Sequence, residues 1–109
     1  MKEVKVALAY SPNSTRILNT KGTIHTEMKE YDKAIQCYLD ALVFAPYYEI
    51  TLKNLALNYL YSEQYEKCIE TLEQFPYEGD EYFEKVYRVA DYRLKQQAKK
   101  SEAEAGSGG

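Results

Sequence analysis

Tryptophan is absent from this chain, histidine occurs once (His25), and cysteine only twice among 109 residues. Each scarcity closes off a class of function. Cys37 and Cys68 lack a C-x-x-C spacing, and with one histidine they are too few soft ligands for a structural zinc site. They read as buried or half-buried free thiols, which fits a reducing compartment, the cytoplasm by default. No apolar run approaches the ~20 residues that a membrane helix requires. Met1-Lys2-Glu3-Val4 opens no signal-peptide core. The net charge of −3 comes without a basic block, which argues against nucleic acid, because phosphate binding needs a concentrated Lys/Arg footprint. Neither a Gly-rich phosphate loop nor a nucleophile beside a base is present, and no set of metal ligands is evident. The reading is therefore not an enzyme, with no catalytic residue, metal or cofactor assigned. Glu63, Glu66, Glu70 and Glu73 lie near Lys67 at helical spacing and read as a solvated face.

What the chain does have is tyrosine, 12 against 3 Phe. An aromatic with a polar tip suits half-buried positions at helix crossings or along a groove. It also repeats itself. Shifted by 34, Pro12 falls on Pro46, Ala7 on Ala41 and Leu8 on Leu42. Leu18 falls on Leu52 and then Val86, while Gly22 falls on Ala56 and then Ala90. Tyr31-Asp32-Lys33-Ala34-Ile35 falls on Tyr65-Glu66-Lys67-Cys68-Ile69. Within each unit, apolar and small residues recur three and four apart (Leu18, Gly22, His25; Ala34, Tyr38, Ala41), the mark of helices with one buried face. The polar break Glu27-Met28-Lys29-Glu30 is short enough to fold the second helix back antiparallel. A mid-helix glycine costs roughly 0.8–1 kcal/mol relative to alanine, so Gly22 needs a packing reason. Close approach of its helix to the one carrying Ala34 supplies one. Pro46 closes the unit.

A 34-residue helix–turn–helix period with small residues at these places and a closing proline resembles the tetratricopeptide repeat. The unit 15–48 carries the resemblance best, through Gly22, Tyr31, Ala34, Tyr38, Ala41 and Pro46. The next unit follows through Leu52, Leu55, Ala56, Tyr59, Tyr65 and Leu72. Leu18 and Leu52 stand where the family favours Trp, His25 where it favours a packing Tyr, and Lys29 and Glu63 where Gly often ends the first helix. Phe75-Pro76-Tyr77-Glu78-Gly79 closes the second unit early. The resemblance implies an all-α, right-handed superhelical solenoid of antiparallel helix pairs over 1–98. Its parts are a half repeat (1–13), repeats at 14–47 and 48–79, and a terminal helix (80–98). A flexible tail at 99–109 follows. Helices are expected near 2–10, 14–28, 31–44, 48–62, 65–75 and 80–98, with Asn13 or Ser14 and Asp80 as N-caps. A fragment of a longer array, or a recombined repeat, accounts for both ends.

The resemblance implies a protein–protein interaction module that takes a short peptide or helix along the wall of first helices. Counting from Gly22, Ala56 and Ala90 puts Thr20, Thr23, Asn54, Leu57, Arg88 and Asp91 on that wall. One turn outward come Arg16, Asn19, Glu27, Lys53, Leu60, Tyr61, Tyr87 and Lys95. The candidate peptide-binding set is Asn19, Thr23, Lys53, Asn54, Leu57, Tyr61, Tyr87 and Arg88. Asn54 is suited to a peptide backbone and Arg88 to a carboxylate. Some family members clamp chaperone C-termini with five inner-wall residues. Asn54 and Arg88 match that pattern, but Asn19, Thr23 and Glu84 hold the other places without its two lysines. The alternative is structural: exposed repeat ends that self-associate within a scaffold or larger assembly. No nucleic acid or membrane partner is expected.

Overall fold

The structure, a computed structural model, describes the backbone of residues 12–108 and the side chains of 14–100. The expected helix at 2–10 lies outside the described residues. Five helices follow in order: α1 (Pro12–Glu27), α2 (Tyr31–Phe44), α3 (Glu49–Tyr61), α4 (Tyr65–Leu72) and α5 (Glu81–Gly108). No strand occurs among the described residues. The fold is all-α, with α1/α2 and α3/α4 forming consecutive helix pairs and α5 packed on α4.

Each helix buries one stripe. In α2 it is Ala34, Ile35, Cys37, Tyr38 and Ala41; in α4 it is Tyr65, Cys68, Thr71 and Leu72. The middle helix α3 is enclosed most widely, through Thr51, Leu52, Leu55, Ala56, Asn58 and Tyr59. Leu52 and Leu72 are fully enclosed, and burying such a side chain contributes about 1.5–3 kcal/mol.

The two tight turns sit where the repeat pattern places them. Lys29 (φ 61°) and Glu63 (φ 63°) both adopt the left-handed conformation that ends a helix. The Lys29 N–H donates to Thr26 O at 2.9 Å and the Glu30 N–H to His25 O at 2.8 Å. Glu63 and Gln64 repeat the arrangement onto Leu60 O (3.0 Å) and Tyr59 O (2.8 Å). Otherwise orphaned carbonyls at each helix end are thereby satisfied. The first turn is also tied by side chains: His25 Nδ1 lies 2.9 Å from Glu30 Oε1, and Lys33 Nζ lies 3.3 Å from Glu30 Oε2. These hydrogen bonds, from His25 first and then Lys33, hold the Glu30 carboxyl below the usual range.

Four expectations are corrected. Asn13 and Ser14 fall inside the first turn of α1, which begins at Pro12, a residue whose fixed φ suits a helix start. Asp80 does cap α5, its Oδ1 accepting the N–H groups of Tyr82 (3.1 Å) and Phe83 (3.4 Å). The second helix of the second pair stops at Leu72, because Phe75 and Pro76 turn the chain away. The last helix continues to Gly108, where a flexible tail was expected after 98. The run Gln96 to Ala105 consists almost wholly of Ala, Lys, Glu and Gln, strong helix formers that carry the backbone on without packing. Finally, the space beside Gly22 is taken by the ring of Tyr38, not by Ala34. A Cβ at Gly22 would lie 2.6 Å from Tyr38 Cε1 and 2.7 Å from Cζ.

Candidate functional site

Packing leaves one stripe of each first helix uncovered. On α3, positions 51 and 58 face α1, while Leu52, Leu55, Ala56 and Tyr59 sit in the common core. The remainder is Ile50, Asn54, Leu57 and Tyr61, spaced i, i+4, i+7 and i+11 along one side. Ile50 and Tyr61 are exposed, Asn54 and Leu57 half-buried. The stripe at the same phase on α1, 34 residues earlier, is Arg16, Thr20, Thr23 and Glu27, all exposed.

On α5 the phase changes. Phe83, Val86 and Ala90 are buried, and they take the places of Leu52, Leu55 and Tyr59 at a spacing of 31 (Leu52 to Phe83), not 34. The cause is the shorter second unit, in which the segment from Tyr65 to Phe83 replaces the longer one from Tyr31 to Leu52. Phe75 meets Phe83 edge-on at 5.6 Å and fixes the new phase. The uncovered stripe of α5 at that spacing is Glu81, Lys85, Arg88 and Tyr92, and all four are exposed. Neither Lys85 nor Arg88 forms an ion pair among the described residues.

Of the residues expected on the binding wall, Thr23, Asn54, Leu57, Tyr61 and Arg88 lie on these stripes. Thr23 Oγ1 is engaged at its own helix's Asn19 O (3.0 Å) and with Tyr38 Oη (3.2 Å). The Asn54 side chain and Arg88 have no hydrogen-bond partner among the described residues. Leu57 packs against the core edge. Tyr61 leans on Tyr31 with ring centroids 5.5 Å apart. Burial first, and then the neighbouring phenol of Tyr82, push its hydroxyl pKa up.

Asn19, Lys53 and Tyr87 are drawn instead into contacts between elements. Asn19 Nδ2 donates to Thr15 O (3.0 Å) and across to Thr51 Oγ1 (2.8 Å). Two turns on, Thr26 Oγ1 donates to Asn58 Oδ1 at 2.9 Å. These bridges tie α1 to α3 through buried polar groups, since Thr51 and Asn58 are enclosed. Lys53 Nζ sits 3.2 Å from Glu49 Oε2, 3.9 Å from Asp80 Oδ2 and 5.4 Å over the Phe83 ring. Its charge is thus spent between α3 and the start of α5. Tyr87 stacks on Tyr77 at 5.3 Å with planes 7° apart, covering the connection before α5. Lys85 and Tyr92, which the 34-residue count left off the wall, belong to it. The signal was the early turn at Phe75–Gly79, which shortens the unit by the three residues that rotate α5.

Among the described residues, no three of His, Cys, Asp and Glu gather as a metal would require. No described helix is long and apolar enough to cross a membrane. A shallow hollow beside the first turn is lined by Lys29, Glu30, Tyr31, Asp32, Lys33 and Ser62. Its charges are partly paired within it, Lys33 with Glu30.

Comparison with known families matches residues 15–47 to the tetratricopeptide repeat. No curated protein and no solved structure gives a significant match. The matched span is the α1/α2 pair with its Gly22–Tyr38 contact, and α3/α4 repeats the same left-handed turn one unit later. The chain is therefore an all-α helical-repeat protein of the tetratricopeptide repeat family, a family of protein-interaction modules.

Proposed function

We propose that this chain binds a short peptide segment or helix of a partner protein along the uncovered wall of α1, α3 and α5, and works by binding alone. The observation that carries the reading is the stripe Ile50, Asn54, Leu57 and Tyr61. The middle helix is enclosed on every other side, yet it keeps three apolar or aromatic side chains around an amide with no partner among the described residues. An amide beside apolar contacts suits a peptide, because it donates to and accepts from a backbone at once. Two buried free thiols, Cys37 and Cys68, fit a reducing compartment such as the cytoplasm.

The test is selection of displayed random peptides on the immobilised chain, followed by titration of the winners. Asn54→Ala and Leu57→Asp are expected to weaken the selected peptides by roughly 1–3 kcal/mol. Glu70→Ala, exposed on α4, is expected to leave them unchanged. Loss at Glu70 with no loss at Asn54 and Leu57 places the partner on the other face and overturns the reading.

A second reading has its own observation. Ile17, Ile24 and Met28 lie along one edge of α1 and are 61%, 51% and 61% exposed. An apolar edge of this kind favours association of repeat ends. Light scattering over a hundredfold concentration range tests it: growth in mass that Ile24→Lys abolishes supports self-association, and a constant monomer mass removes it.

A further inference from the structure

The uncovered wall changes chemistry from helix to helix. On α1 the two central positions are hydroxyls, Thr20 and Thr23; on α3 they are Asn54 and Leu57; on α5 they are Lys85 and Arg88. Those two cations stand three residues apart, so they are neighbours on one helix face. Both are exposed, and neither is paired with a carboxylate among the described residues. The other lysines facing the first helices are already neutralised: Lys53 by Glu49 and Asp80, and Lys95 by Asp91 at 3.0 Å. Glu81 precedes Lys85 by one turn but makes no ion pair with it. Glu84 is turned back to accept the Gly79 N–H at 2.9 Å. Exposed Tyr92 continues the stripe beyond Arg88.

We infer that Lys85 and Arg88 form an acid-reading subsite, so that the preferred partner is a peptide carrying an apolar residue for Leu57/Tyr61 and an Asp or Glu for the two cations. The inference rests on the wall being a peptide site and adds the order of the residues that it reads. Adjacent packed helices lie about 8–10 Å apart, and an extended chain advances about 3.3 Å per residue. The acidic residue therefore falls about three positions from the apolar one, within the segment, without any need for a chain terminus. Two cations facing one carboxylate act mainly through charge complementarity, which sets specificity and approach rate. Arg88 can in addition hold both carboxylate oxygens through its planar fork.

The experiment uses phage-displayed random 12-residue peptides selected on the full chain and, in parallel, on Lys85→Glu/Arg88→Glu. On the parent chain, Asp or Glu is expected at a fixed position two to four residues from an apolar one, enriched about fivefold or more over the starting library. On the charge-reversed chain that position turns to Lys or Arg. A peptide selected on the parent then binds the reversed chain about tenfold or more weaker, and Lys85→Arg restores most of the parent affinity. Lys99→Glu/Lys100→Glu, exposed further along α5, is the control for overall charge and is expected to change little. Equal losses at that control overturn the subsite in favour of a diffuse field. Apolar peptides with no acidic position, unaffected by charge reversal, overturn the subsite and leave the peptide-binding wall standing. Enrichment of nothing at all overturns both. Retained helical circular dichroism in each variant excludes unfolding as the cause.

Discussion

Thr26 on α1 donates its hydroxyl to the amide oxygen of Asn58 on α3, 32 residues away, at 2.9 Å. Asn58 is only 2% exposed, and its Nδ2 is committed to Asn54 O at 2.8 Å. The bridge therefore locks one repeat onto the next through a group that water cannot reach. Thr26→Val keeps the shape but leaves the Asn58 oxygen buried without a donor, and is expected to cost about 1–3 kcal/mol in urea unfolding. Thr26→Val/Asn58→Leu is expected to cost less than the two single changes together, because no orphaned group remains. Additive losses would show that the two residues stabilise the fold separately.

Gly22 is a second, steric test of the same pair of helices. Alanine is the better helix former by roughly 0.8–1 kcal/mol. Its Cβ, however, would lie 2.6 Å from an enclosed Tyr38 ring whose hydroxyl is hydrogen-bonded to Thr23. Gly22→Ala is accordingly expected to lower stability by about 1–3 kcal/mol net. Gly22→Ala/Tyr38→Leu, with a smaller group in that space, is expected to recover part of the loss relative to Tyr38→Leu alone. A Gly22→Ala melting temperature above the parent's refutes the close contact.

Lys29 and Glu63 hold positive φ without being glycine, a conformation that costs a side-chain-bearing residue about 1–2 kcal/mol. Lys29→Gly and Glu63→Gly are each expected to stabilise the chain by about 0.5–1 kcal/mol, after allowance for the greater freedom of glycine in the unfolded state. Thermal melts monitored by circular dichroism decide it. Glycine at Met28, in the same turn, is the control and is expected to give no gain.

Cys68 is fully enclosed between α3 and α4, and burial pushes its thiol up to about 12. Burial also raises Cys37, by a smaller and partly offset effect. Native Cys68 is expected to resist an aromatic disulfide reagent at pH 8, with Cys37 reacting first and Cys68 only when the α3/α4 pair opens. The sign of the linkage follows. The unfolded thiol ionises near 8.5 while the folded one keeps its proton. Stability carried by this group is complete below about 8.5 and falls as pH rises from there toward the folded value. Cys68→Ala is expected to flatten that alkaline decline. Rapid labelling of Cys68 at full native signal contradicts the enclosed site.

The helix pairs, the turns at Lys29 and Glu63 and the small contact at Gly22 were legible in the sequence. Each is a local matter: a period of three and four, a polar break, a residue too small for its helix. Asp80 as a cap was legible for the same reason, since a carboxylate three residues before a buried Phe83 meets free N–H groups wherever the helix lies. What the tertiary structure alone decided is how far each helix is rotated against its neighbours. Counting by 34 carried Asn54 onto Arg88, but the short α4 and the Phe75–Phe83 contact rotate α5 so that Lys85 takes that phase and Arg88 follows Leu57. Asn19 and Lys53 carry the right chemistry for a binding wall, yet buried Thr51 and the start of α5 claim them first. A sequence period states which residues share one side of a helix. Which neighbour that side meets depends on the length of the connection and on side chains arriving from another part of the chain, and those determine which polar groups remain free to bind.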